Sequence, residues 1–85
     1  MNDPREEAAR AVEEAMAPDA IAQSLEALVS HRVIALTLRA PISPEAERLL
    51  RAELERHLGD SIPTTQDALL QRLRLIAGCL RRPDG

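Results

Sequence analysis

Phenylalanine, tyrosine, tryptophan and lysine are all missing from this 85-residue chain, which has one cysteine and three glycines. Each absence excludes something. Without aromatic rings the chain lacks the usual anchors of tight protein interfaces and the platforms on which unpaired bases stack. One cysteine, Cys79, makes no disulfide within the chain, and no Cys/His cluster at zinc-ligand spacing accompanies it. Three scattered glycines build no phosphate-cradling loop. No window approaches 18 consecutive apolar residues, so no membrane-spanning helix is expected. The first residues lack the basic-then-apolar order of a signal peptide, and a single free thiol fits a reducing cytoplasm.

What is there is a short alphabet. Ala, Leu, Arg and Glu make up 47 of the 85 residues, the composition of amphipathic helices. An all-α or nearly all-α domain, a small four-helix bundle-like unit, is therefore expected. Its core must come from 13 Leu, five Ile, three Val and 14 Ala. A chain of this size buries only about 60–65% of its unfolded surface, so a homo-oligomer or a tight protein partner is expected to add stability. Exclusive Arg with abundant Ala also matches codon usage in a GC-rich bacterial genome, an association rather than a physical argument. Charge is uneven: residues 1–30 carry seven acids and two bases, and residues 31–85 seven acids and nine arginines. The acidic front and mildly basic rear can pair within a chain or between subunits, or simply form solvated helix faces.

Proline and glycine divide the chain. Asp3-Pro4 with Glu6 reads as N-cap, first helical residue and returning acid of a helix that runs to about Ala17, where Pro18 stops it. Its apolar stripe (Ala8, Ala9, Val12, Ala15, Met16) is small or flexible, which predicts a peripheral acidic helix over residues 1–17. Asp19 can cap a second helix with Ile21, Leu25, Leu28 and Val29 on one face. Ser43-Pro44-Glu45 opens a third helix over 43–58, with the stripe Ala46, Leu49, Leu50, Leu54 and Leu58 and a stop at Gly59. Thr64 with Asp67 opens a fourth over 64–82, whose stripe is Leu69, Leu70, Leu73, Ile76, Ala77 and Leu80. Leu75 falls on its solvent side. Pro83-Asp84-Gly85 is expected to fray.

Residues 33–39 admit two readings. A second helix continuous over 19–40 leaves Ile34 and Leu38 opposite its apolar face. Alternatively the helix ends near His31, and Val33 to Arg39 form a single strand, with Ile34, Leu36 and Leu38 alternating against Ala35, Thr37 and Arg39.

Chemistry is sparse. His57 near a helix C-terminus reads as a cation favoured by the dipole. His31 has no companion at ligand spacing, and Cys79 near an apolar face reads as a small core residue. No catalytic residue, metal or cofactor is expected, and the chain is not expected to be an enzyme. The continuous-helix reading makes it a cytoplasmic interaction module: an adaptor, chaperone-like or regulatory subunit. It would bind a protein partner or its own copies through aliphatic helix faces, at Ile34, Leu38 and Leu75.

The strand reading gives the order strand, helix, Gly59-Asp60-Ser61 turn, helix over residues 33–77. That order resembles the ribbon-helix-helix family of DNA-binding regulators and antitoxins. The resemblance implies a dimer whose paired strands enter the major groove, with Thr37 and Arg39 reaching bases. Pro63 stands where the family clamps phosphate with a backbone N–H, and the acidic 30-residue front and net charge of −3 depart from its basic character. Strand, Pro41-Ile42-Ser43-Pro44-Glu45 and a helix ending in Leu58-Gly59 also look like the late part of rotary ATP synthase delta subunits. The strand and paired glycines that follow in that family are absent.

Overall fold

A computed structural model describes residues 3–82 and shows an all-α domain of four helices: α1 Pro4–Glu14, α2 Pro18–Ser30, α3 Pro44–Leu58 and α4 Gln66–Arg81. The expected fraying of residues 83–85 lies outside the described residues. α4 is the hub, touched by the other three helices. Its apolar stripe explains why, since Leu69, Leu73 and Ile76 are fully buried and Ala77 and Leu80 nearly so.

The helix starts follow side-chain chemistry. Asp3 accepts from the Arg5 N–H, Ser43 Oγ from the Ala46 N–H and Thr65 Oγ1 from the Ala68 N–H. The fourth cap is thus Thr65 rather than Thr64. Asp19 does not cap α2. That helix begins at Pro18, two residues before the start an Asp19 cap implies, with Ala17 as an N-cap that makes no side-chain bond. Proline both stops α1 and opens α2, because its fixed φ suits the first helical position. Gly59 ends α3 at φ −64°, so left-handed freedom is not what the site needs. A Cβ there would lie 2.4 Å from the Glu55 carbonyl oxygen, too close for any side chain.

α1 is not peripheral. Ala8, Ala9, Val12 and Ala15 are fully buried, and the helix packs more extensively on α4 than any other pair of helices does. Small side chains were the source of the wrong expectation: alanine contributes little area, but it lets helix backbones approach closely. Glu7 fixes the other side of α1 by accepting from both the N–H and the hydroxyl of Ser43, each at 2.9 Å, at the start of α3. That carboxylate lies at the positive end of the α3 dipole.

The continuous helix over 19–40 does not form. α2 ends at Ser30, and Arg32 at φ 55° turns the chain so that the Val33 N–H reaches the Ala27 carbonyl. The physical reason lies in the apolar pattern. A helix to Arg39 would hold Ile34 and Leu38 away from the core, whereas the non-helical path packs Ile34, Leu36, Leu38 and Ile42 against it. Among the described residues no strand ladder forms either.

Opposite charges of the two halves meet within the chain. Arg81 on α4 bridges Glu6 and Glu13 of α1, with bonds of 3.1 Å to Glu6 Oε2 and 2.5 Å to Glu13 Oε2. These hydrogen bonds hold both carboxyl groups below their ordinary value of 4.5 and keep Arg81 more firmly protonated. A carboxyl whose folded pKa is depressed contributes stability above its unfolded pKa and loses it as pH falls through the folded one. Arg81→Gln is therefore expected to be less stable than wild type at pH 7. The gap should close as pH drops below about 4.5, in denaturant titrations run across that range. The bridge is exposed, so the gap should be small and shrink with salt.

Candidate functional site

Residues 34–42 form one wall of a groove, and α3 forms the other. Ile34, Leu36, Leu38 and Ile42 face Leu50 and Leu54 across a cavity of about 400 Å³, with Arg39 and Arg51 among its lining. The sequence anticipated the alternation. Val33, Ala35 and Arg39 are exposed while Ile34, Leu36 and Leu38 are half-buried against the core; Thr37, also half-buried, breaks the strict pattern. Ile34 and Leu38 are therefore not the bare surface residues expected of a continuous helix. Leu75 is, at 58% exposed. Val29 and Val33 are similarly open, at 46% and 49%.

The backbone of this segment is half satisfied. Val33 N–H donates to the Ala27 carbonyl, Ala35 N–H to the Val33 carbonyl and Thr37 N–H to Ser24 Oγ at 2.9 Å. The N–H groups of Ile34, Leu36 and Leu38 find no acceptor among the described residues. Two of the alternate amides are thus tied to α2, one is tied within the segment, and the ones between are left without an acceptor. Ser24 is the residue that sequence reasoning missed here. It is fully buried on α2, and its hydroxyl is the acceptor that holds the segment in place. A serine on the apolar side of a helix, at i+3 from Ile21, was the available signal.

Thr37 and Arg39, the base-contacting pair of the DNA reading, sit on the same segment. Arg39 Nη2 lies 3.8 Å from Asp19 Oδ1, so an acid stands beside the cation that would have to meet a phosphate-lined groove.

A second constellation lies on the other side of α3. Glu53 and His57, one helical turn apart, converge with Cys79 of α4, and their donor atoms all lie within 4.8 Å of one another. Each residue is partly buried. Glu53 Oε1 accepts from Arg56 at 3.2 Å, while Oε2 lies 3.2 Å from His57 Nε2. That short approach lacks the alignment of a hydrogen bond, and both buried atoms are left without a partner. The His57 carbonyl is bonded by Arg72 of α4, which also reaches the Ser61 carbonyl at 3.4 Å. Arg72 thereby closes the C-terminal end of α3 and holds it to α4. The expectation that no ligand-type cluster exists does not hold at the level of geometry. His57 and Cys79, read separately as structural, share a site with an acid 26 positions before the cysteine. His31, by contrast, is exposed at the end of α2 and joins no such cluster among the described residues.

No helix among the described residues is long and apolar enough to cross a membrane. No protein-family model, curated protein or solved structure matches the chain.

Proposed function

We propose that this chain is a small protein-interaction module, an adaptor or regulatory subunit, that binds an extended aliphatic segment along residues 34–38. The observation that carries the reading is the half-satisfied backbone: the Val33 and Thr37 N–H groups are tied to α2 and that of Ala35 to the Val33 carbonyl, while those of Ile34, Leu36 and Leu38 have no acceptor among the described residues. An added strand supplies those acceptors, and its side chains meet the apolar groove beside them. The occupant we commit to is the same segment of a second copy. Antiparallel pairing about a twofold axis at Leu36 sets Ile34 of one copy opposite Leu38 of the other. All three free N–H groups of each copy are then used, because directly opposed residues in such a pair exchange both bonds. The pairing also covers an edge that would otherwise invite nonspecific association.

Sedimentation of the full chain tests this. Wild type should show a concentration-dependent monomer–dimer equilibrium. Leu36→Pro, which deletes the N–H on the axis, should weaken it at least about tenfold with helix content unchanged. A wild-type chain that stays monomeric up to millimolar concentration overturns the reading, as does a Leu36→Pro dimer of undiminished affinity.

The DNA-binding alternative rests on one feature, that the paired segments would place Thr37 and Arg39 on a common ribbon. It requires retention on duplex DNA that falls steeply with salt and weakens in Arg39→Ala. The acid beside Arg39 and the net charge of −3 favour the protein-binding reading.

A further inference from the structure

The cluster at Glu53, His57 and Cys79 has a chemistry that neither the core nor the groove uses. A thiol, an imidazole nitrogen and a carboxylate oxygen are the three donor types of zinc sites, and the mixture of soft and hard donors disfavours magnesium and calcium. The spacing suits one ion. Glu and His at i and i+4 lie on the same face of α3, and Cys79 meets them from α4. A tetrahedral ion with bonds of about 2.0–2.3 Å holds its donors about 3.3–3.8 Å apart. The Glu53–His57 separation of 3.2 Å is already close to that range, and Cys79, within 4.8 Å, needs a shift of up to about 1.3 Å to reach the roughly 3.5 Å expected between a sulfur and a nitrogen or oxygen donor.

A simple His57–Glu53 ion pair accounts for less. It would align an N–H with the carboxylate, but the two facing atoms are both buried and both unpartnered. Two acceptor-type atoms turned toward a common point, with a thiol near them, is the arrangement of ligands sharing a cation. The second oxygen of Glu53 is fixed by Arg56, which orients the carboxylate to offer one atom only. Glu53 and Cys79, though not His57, also line a cavity of about 330 Å³.

We infer that Glu53, His57 and Cys79 bind a single zinc-type divalent ion between α3 and α4, leaving a fourth position for water or an exogenous ligand. As a carboxylate and a thiolate together match the charge of the ion, binding releases the thiol proton and tightens as pH rises.

Titrating the reduced full chain with Co²⁺ alone tests the site. A near-ultraviolet thiolate-to-cobalt band should saturate at one equivalent and vanish when Zn²⁺ is added. The band should be lost in Cys79→Ser, and Glu53→Gln and His57→Gln should each weaken binding by about tenfold or more. A parallel measurement needs no variant: Zn²⁺ should slow alkylation of Cys79 by iodoacetamide at least about tenfold. The absence of a thiolate band, a band that persists in Cys79→Ser, or an alkylation rate indifferent to Zn²⁺ overturns the site.

Discussion

Leu73→Ala is expected to lower the unfolding free energy by about 2–5 kcal/mol. Leu73 is fully buried on the helix that packs against all three others, so its removal opens a cavity that no single neighbour can collapse to fill. A chain this small is stable by about 4–13 kcal/mol in total, and each kilocalorie corresponds to about 4–8 °C in Tm. The variant should therefore melt tens of degrees lower or fail to fold at 37 °C. Leu75→Ala, two residues on and facing water, is the control and should change little. Chain concentration must be the same in each melt, because the proposed dimerisation would shift the apparent Tm.

Ala9→Leu is expected to destabilise by about 1–3 kcal/mol. Alanine and leucine have nearly equal helix propensity, so the change reads packing rather than helix formation. Ala9 is fully buried on a helix held closely to α3 and α4, and three further methyl-sized groups have nowhere to go. Arg10→Leu, exposed on the same helix, should be close to neutral. Denaturant midpoints for the pair separate the two accounts of α1. A peripheral helix would gain from added apolar area at position 9, and a central one must lose.

Those two positions also show what the sequence could and could not say. α3 and α4 are legible because their stripes are made of leucine at strict helical spacing and their starts carry capping hydroxyls, Ser43 as expected and Thr65 one residue past the expected Thr64. Counting apolar area misjudged α1, because Ala8, Ala9 and Ala15 act by allowing close approach and not by covering surface. Residues 33–39 defeated both local readings for a tertiary reason. Their path is set by contacts far along the chain, chiefly the Thr37 N–H to Ser24 and the packing of Ile34, Leu36 and Leu38 on the core. Local periodicity identified which side chains turn inward but not whether the backbone was helical. Glu53 and His57 could have been paired from their i,i+4 spacing. That Cys79 joins them depends on the height at which α4 crosses α3, which Arg72 helps to set through the His57 carbonyl and which no local pattern encodes.

Missing rings, finally, constrain how the proposed pairing is held. With no aromatic anchor to insert, its affinity would have to come from backbone pairing along an edge and from aliphatic contact beside it. Val33 and Leu75 add apolar surface, but neither offers the area of a buried ring.

Amide exchange at Ile34, Leu36 and Leu38, followed by NMR over a range of chain concentrations, tests the edge most directly. In dilute solution these three N–H groups should exchange near open-chain rates, while Thr37, bonded to Ser24, is protected throughout. As concentration rises all three should become protected together, in step with the dimer fraction. If they exchange equally fast at every concentration while Thr37 stays protected, residues 34–38 are not a pairing edge.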